Sequence, residues 1–474
     1  MGFWSIEGVR VLTLEASQVE SLWDEVLPVE VRELPEDLAR LDELLRDREL
    51  LRPIERHWRR EAEASGRSAA DHGRPSIAME TYVRLMVVKQ RAGWGYETLV
   101  REVSDSLHLR RFCLIPLGER VPDESTVRKL TRRLGAEVVA ELTRALIEKA
   151  VGERRFRPRA ARIDSTVVEA DVRYPTDDGL ALQGARALAS KGRRLARRIG
   201  ESTTSVRDRS RAIGRRVREI GRTLGRRTGE ARGRVMELNG QAGRLLARSA
   251  REAERLAATA RRKARGRGAR AKLRAATELE QLAGRCERVA EQIAMRLRGE
   301  KITDRLVSMA DPDARPIRKG KLGKPNEFGY LAQICEVTEN TQPGARGLVL
   351  PAATASGSPG ENTLLPTTVT ELERLGLRPR EVALDGGFGH LKSEQQLAPI
   401  GAERVFVTGR QEPGSNRTRR RLRRYRTGSE GRISHLKRRY GLRRSRLKGD
   451  EGQRTWTGWA ILAYNLDTLA IRPG

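Results

Sequence analysis

The stretch ARIDSTVVEADVRYPTDD, residues 161–178, is where a long, helical and basic N-terminal half gives way to the first strand-like segment of the chain. Asp164 stands inside it, with Ile163 on one side and Val167 and Val168 on the other. An acid in so apolar a run is costly to bury unless it is paired or holds a metal. Asp164 is therefore a candidate metal-binding carboxylate. An Asp at a strand edge or turn is the plain alternative, and these residues alone do not separate the two.

Working outward, the chain has 474 residues, enough for two to four domains at about 100–200 residues each, and 38% hydrophobic residues to build their cores. The formal charge is +31, from 94 Lys and Arg against 63 Asp and Glu, and most of the excess is Arg. Arg stays charged and grips phosphate through two parallel hydrogen bonds, so nucleic acid is the first partner to consider. Solvated helix faces that simply use Arg account for part of the surplus. Cys113, Cys286 and Cys335 lie far apart and form no C-x-x-C pair, which excludes a disulfide framework or a zinc ribbon and suits a reducing cytoplasm. The N-terminal MGFWSIEGVRVLTLEAS has no basic region followed by an apolar one, and no run approaches the roughly 18 apolar residues of a membrane span. A soluble, cytoplasmic protein with no membrane partner is expected.

Four domains follow from the text. Residues 1–75 read as a helical arm, with Leu34, Leu38, Leu41, Leu44, Leu45 and Leu50 mostly at three- and four-residue steps; His57 and His72 in this arm read as surface residues. Residues 76–157 read as an all-α domain of short helices separated by Gly93, Gly95 and a loop between Pro116 and Pro122. Asp123 and Ser125 can cap a helix that begins near Thr126. That helix carries Arg128, Lys129, Arg132 and Arg133, which suits the last element of a helix-turn-helix and makes these four residues DNA-binding candidates. An ordinary packed helix has the same periodicity.

Residues 182–303 form a third, Arg- and Ala-rich region in which Leu238, Leu245, Leu246, Leu256, Leu273, Leu279, Leu282, Val289 and Ile293 recur at helical steps. Long antiparallel helices are expected, with charge spread all round them. A solvated hairpin and a DNA-clamping arm both fit. The fourth domain, 158–181 with 304–474, alternates strands and helices: FGYLAQICEVTE and ARGLVLPAATA as paired strands, a helix over about 361–375, REVALDGGFG as a buried strand ending at Asp385, ERVFVTGR as another, then basic helices. In TWTGWAILAYNLDTLA, Trp456, Trp459, Ala463 and Leu466 share one side of a packing helix. With the insertion set aside, the order gives a five-stranded mixed sheet with flanking helices.

Asp164 and Asp385 thus stand where such a sheet places chemistry, and hard divalent cations want oxygen ligands. Glu430, in RRYRTGSEGRISHLKRRYG, is a third acid, on a helix with Arg426, Arg432 and Lys437. Alone it reads as a neutralising partner for the arginines; with the two aspartates it completes a set able to grip both metal and phosphodiester.

At this point a family resemblance is carried by RIDSTVVEAD, DPDARPIRKGKLGKPNEFGYLAQ, ALDGGFG and the terminal R-x3-E-x6-K of Arg426, Glu430 and Lys437, with VPDESTVRKL upstream. The chain resembles a DDE transposase of a bacterial insertion sequence, over about 78–133 and 158–469. The resemblance implies a ribonuclease H-like α/β core, shared with retroviral integrases, preceded by an all-α domain and here interrupted by the long helical insertion after its first strand. It implies two Mg²⁺ or Mn²⁺ ions held by Asp164, Asp385 and Glu430. Arg426 and Lys437, with Arg423 and Arg432 beside them, would neutralise phosphate charge. Its partners would be double-stranded DNA, at the element's terminal inverted repeats and at the target, and a second copy of the chain on paired ends. Water would first cut the strand at the element's end, and the freed 3′-hydroxyl would then attack target DNA.

Two departures stand out. Arg423 replaces a tyrosine common three residues before the signature arginine, with Tyr425 nearby, and only a short segment separates Asp385 from Glu430. Asp171, Asp177 and Asp178 rival Asp164 locally, although Asp171 faces the opposite side of a strand. An inactive DNA-binding descendant, a nuclease that does not join strands, and a helical RNA-binding scaffold are the competing readings.

Overall fold

The computed structural model describes residues 12–16, 25–64, 75–226, 228–266, 268–321, 324–410 and 414–472. His72 and most of the N-terminal MGFWSIEGVRVLTLEAS fall outside them. In chain order the elements begin with α1 (Val29–Arg32), α2 (Glu36–Leu45), α3 (Arg52–Ala64), α4 (Met79–Ala92), α5 (Tyr96–Asp105), α6 (Leu107–Phe112), α7 (Glu124–Gly152) and β1 (Ala160–Ala170). Then come α8 (Asp177–Ile199), α9 (Ser210–Leu224), α10 (Gly229–Arg262), α11 (Ala269–Leu297), β2 (Arg315–Lys321) and β3 (Lys324–Thr338). The last part holds β4 (Leu348–Val349), β5 (Ala353–Ser356), α12 (Glu361–Arg374), β6 (Glu381–Leu384), α13 (His390–Leu397), β7 (Arg404–Val407), α14 (Asn416–Arg439), β8 (Arg444–Ser445) and α15 (Gly449–Ala470). The architecture is mixed α/β, with a helical N-terminal region and a mixed sheet.

The chain divides into two compact units: Met1–Glu169 with Tyr330–Gly474, and Ala170–Gly329. In the first, Leu38, Leu41, Leu44 and Leu45 of the expected leucine stripe are buried on α2. Helix α4 is buried almost all round, from Thr81 to Gln90, as a central helix must be. Arg84 lies inside it, paired with Asp42 at 2.5 Å and Glu80 at 3.2 Å, and donates to the Phe112 carbonyl at 3.0 Å. One guanidinium so ties α4 to α2 and α6. Helix α7 is broken at Gly135, which has φ 66° and ψ −171°; a Cβ there would sit 2.7 Å from the Glu451 carboxylate. That same carboxylate accepts from the Ala136 N–H at 2.6 Å and restarts the helix. Trp456, Trp459, Ala463 and Leu466 are all buried on α15, where Trp459 meets Tyr82 edge-on at 5.8 Å. The N-terminal helices and the C-terminal helix thus share one core.

The sheet of this unit runs β3-β1-β6-β7, with β4 and β5 antiparallel on β3, and β8 on β1. β1, β6 and β7 are parallel, in a register that pairs Ile163 with Leu384 and Leu384 with Val407. With β2, which pairs antiparallel with the first residues of β3, the sheet counts eight strands rather than the five expected. The second expected strand is split into β4 and β5 around Pro351, whose missing N–H interrupts a ladder. β2 was hidden by its sequence, RPIRKGK, which has no apolar alternation.

In the second unit, Thr176 caps α8 by accepting from the Gly179 N–H at 3.2 Å, so the first helix starts at Asp177, earlier than the sequence pattern suggested. Helices α8–α11 enclose their own core of Leu180, Leu188, Leu246, Leu256, Leu279, Val289 and smaller residues. α10 and α11 run antiparallel: Arg261 pairs with Glu280, and Glu254 faces Glu287, which with burial holds the Glu254 carboxyl above its ordinary range.

Candidate active site

The register of the parallel strands builds the site. Because Ile163 pairs with Leu384, Asp164 and Asp385 are the next residues along on adjacent strands. Their side chains leave the same face, since neighbours on a strand alternate. Helix α14 lies on that face through Leu422, Tyr425, Ser429, Arg432, Ile433 and Leu436, which are its buried residues and recur at three- and four-residue steps. Arg426 and Glu430 follow one turn apart on the same helix.

The three acids converge on one cation. The Arg426 guanidinium lies 2.6 Å from Asp385, 2.9 Å from Glu430 and 3.5 Å from Asp164. Its Nε is buried without a hydrogen-bond partner among the described residues. Exposure is graded: 13% of the Asp164 side chain, 41% of Asp385 and 62% of Glu430. Asp164 also accepts from the Ser429 hydroxyl at 3.0 Å and from the Ser165 N–H at 2.8 Å. Burial pushes the Asp164 carboxyl above the usual carboxylate range; the Arg426 charge and the Ser429 hydroxyl pull it back, while Asp385 adds to the rise.

Among the described residues, no three His, Cys, Asp or Glu side chains are drawn together tightly enough to hold a metal ion; what the three carboxylates have in common is the Arg426 guanidinium. The donor set nevertheless fits a hard divalent cation. It is all oxygen, and its carboxylates already surround a positive group.

Beneath the site sits an ionic cluster that the sequence reading missed. Glu336 of β3, 1% exposed, is 2.6 Å from Arg162 of β1 and 2.9 Å from Arg432 of α14, and accepts from the Gly347 N–H. Arg162 further donates to the Tyr425 and Ala345 carbonyls at 3.0 and 2.9 Å. Its guanidinium passes so close to Gly428 that a Cβ there would fall 1.9 Å away, so glycine is required. Arg432, expected at the DNA surface, instead turns into the core over the Tyr464 ring at 4.8 Å. Tyr425 is buried too, with its hydroxyl 2.6 Å from that of Thr338, and burial pushes its phenol above the ordinary value. Glu361, also missed, is hydrogen-bonded to the Ser165 hydroxyl.

The other candidates are spread out. Arg423 is exposed and Lys437 half-buried on α14. Lys129 and Arg132 are exposed on α7; Arg128 pairs with Glu124 at 3.3 Å. Arg133 pairs with Glu61 at 2.7 Å and stacks over Trp58 at 3.5 Å. His435 stacks on Tyr440 at 5.5 Å, while both ring nitrogens of His390 are buried without hydrogen bonds among the described residues. Asp177, a rival to Asp164, is buried and paired with Arg296 and Arg305 in the second unit.

Two family models match the chain, one described as Transposase domain (DUF772) over residues 35–133 and one as Transposase DDE domain over 315–466. The chain carries two transposase domains, consistent with an insertion-sequence DDE transposase. The second match spans Asp385 and Glu430 and leaves Asp164 and helices α8–α11 outside it. No curated protein and no solved structure matches this transposase. No helix of its described residues is long and apolar enough to cross a membrane.

Proposed function

We propose that this DNA transposase cuts DNA strands at the ends of its element and joins the freed 3′-hydroxyl to target DNA, with Asp164, Asp385 and Glu430 as the metal-holding carboxylates. The observation that carries the reading is the convergence of these three acids, from within β1, from just past the end of β6 and from one helix, on a single cationic group. The strand order, with β1, β6 and β7 parallel and β3 next to β1 carrying antiparallel β4 and β5, supports a ribonuclease H-like core. Two Mg²⁺ or Mn²⁺ ions held there would supply charge stabilisation at the phosphoryl oxygens and a more acidic water or hydroxyl.

The protein's own groups do the rest. Asp164 is oriented by Ser429 and the Ser165 N–H, and the Arg162–Glu336–Arg432 cluster fixes α14 against the sheet. Arg426 neutralises the carboxylates in the absence of substrate and is placed to turn to the scissile phosphate, where charge accumulates. Arg423 and Lys437 on the same helix hold the flanking backbone, and Lys129 and Arg132, with Arg128, hold the element's terminal repeat. Paired ends call for two copies of the chain. Action on chromosomal DNA places it in the bacterial cytoplasm.

The test is a nicking assay on a DNA end with Mg²⁺ or Mn²⁺. Asp385→Asn should lower the cutting rate by about a thousandfold or more, the scale of several kcal/mol of transition-state stabilisation. DNA binding and its salt dependence should stay as they were. Normal cutting by this variant would sink the site assignment.

A further inference from the structure

Two arginine rows in the second unit each set four exposed guanidinium groups in line. On α9, Arg211, Arg215, Arg218 and Arg222 are exposed, at steps of four, three and four residues. On α10, Arg244, Arg248, Arg251 and Arg255 are exposed at the same steps. At about 3.6 residues per turn this spacing keeps four side chains in one narrow stripe, and at about 1.5 Å per residue each stripe runs roughly 16 Å. The opposite faces are apolar: Ile213 and Ile220 are buried on α9, and Leu246, Ala250, Ala253 and Ala257 on α10.

What separates these rows from a solvated surface is the use of acids around them. Other arginines of the same unit are matched: Arg209 with Glu252, Arg234 with Glu219, Arg261 with Glu280, Arg288 with Asp304 and Arg298 with Glu291. None of the eight stripe arginines has an ion-pair partner among the described residues. Like charges at i and i+4 cost a helix a few tenths of a kcal/mol per pair, so each row is mildly self-repelling. The nearby acids Glu219 and Glu252 are turned to Arg234 and Arg209, and Asp208, Glu237 and Glu252 act on Arg211, Arg244 and Arg255 only across a longer gap than an ion pair. Eight of the unmatched charges are therefore drawn into two lines, alongside others such as Arg194, Arg197 and Arg198 on α8, where the sequence had suggested an even spread.

We propose that the α9 and α10 stripes are a second DNA-binding surface, gripping the phosphate backbone of duplex DNA without reading its sequence. A linear row of guanidinium groups suits a linear row of phosphates, and duplex DNA carries about one charge per 1.7 Å of axis. No base-reading side chain interrupts either stripe: the intervening exposed residues are Gly221 on α9 and none but arginine between Arg244 and Arg255 on α10. The surface is suited to holding DNA that flanks the element or receives it. The proposal rests on the transposase reading for its biological setting, but on the two stripes alone for its chemistry.

The experiment uses the full chain and a fluorescently labelled linear duplex of arbitrary sequence, with affinity measured by anisotropy across a salt series. Two variants remove one stripe each: Arg211, Arg215, Arg218 and Arg222 all to Gln, or Arg244, Arg248, Arg251 and Arg255 all to Gln. A control variant changes Arg234, Arg261, Arg288 and Arg298 to Gln, deleting the same charge at paired positions. Each stripe variant should flatten the slope of log affinity against log salt by about 3–4, given roughly 0.9 per phosphate contact, and the control by less than about 1. Equal slopes for stripe and control variants overturn the proposal, as does tighter binding of wild type to single-stranded RNA of the same length. Metal-dependent cutting by the same wild-type preparation is scored separately. Its failure would count against the transposase reading and leave the stripe result standing.

Discussion

Helix α14 and helix α9 are both arginine-rich, yet they use the residue in opposite ways. On α14, Arg421 turns to Glu381, Arg426 to the three site carboxylates and Arg432 to buried Glu336. On α9, Arg211, Arg215, Arg218 and Arg222 turn outward and meet no acid among the described residues. The first arrangement positions chemistry, because a guanidinium held by carboxylates from other elements fixes where those elements lie. The second leaves charge available to a partner. Both helices are rich in arginine; the position of the acids decides which role follows.

The largest effect should come from removing an acid on the inward side. Glu336→Gln leaves Arg162 and Arg432 buried without their counter-charge, and breaking such a pair costs about 3–5 kcal/mol. Urea unfolding should show that loss, whereas the α9 stripe variant should unfold like wild type; a Glu336→Gln midpoint equal to wild type would erase the contrast.

Lys89 of α4 is a sharper case, a cation turned inward with aromatic rings in place of an acid: Trp456 at 4.3 Å and Tyr96 at 4.8 Å. Burial, helped by Arg446, pushes its ammonium down to about 7, against 10.5 for a free lysine. Between those values the unfolded chain binds more protons than the folded one, so stability rises with pH. The penalty for the buried charge is complete below about pH 7 and gone above about 10.5. Lys89→Met should therefore be more stable than wild type by a few kcal/mol at pH 6, with the gap closing towards pH 10. Thermal melts of the two chains across that range test it, and a gap independent of pH contradicts it.

The smallest effects belong to single outward residues. Lys129→Ala and Arg132→Ala should each flatten the salt dependence of binding to an element end by about one phosphate contact. Arg133→Ala, whose side chain is held by Glu61 and Trp58, should leave the slope alone and lower the melting temperature instead. Identical slopes for all three variants would show that exposure does not sort these residues.

The part of the site that lies on strands was legible in the sequence. An apolar run around Asp164 marked a strand and one before Asp385 marked a strand end, and the register of β1 with β6 makes the two acids neighbours. The inward turn of Arg432 was not, because its partner Glu336 lies 96 residues away and nothing local on α14 announces it. Ser429 and Glu361 escaped for a similar reason: each is defined by what β1 presents to it. Edge strands were lost where charge or proline masks alternation, as in β2 and around Pro351. The Thr176 cap of α8 was available in the text, but the PTDD that follows Tyr174 read as the tail of a strand.

The bond between Ser429 and Asp164 joins residues 265 positions apart, and everything between them must leave the ribosome before it can form. At about 5–20 residues per second this is a wait of some tens of seconds at the slower end. The second unit ends at Gly329 and is complete before Asp385 and Glu430 are made, so the nascent chain then presents helices α8–α11 in full while it has no complete set of carboxylates. With the roles proposed above, the growing chain would touch nearby DNA well before it is able to cut it.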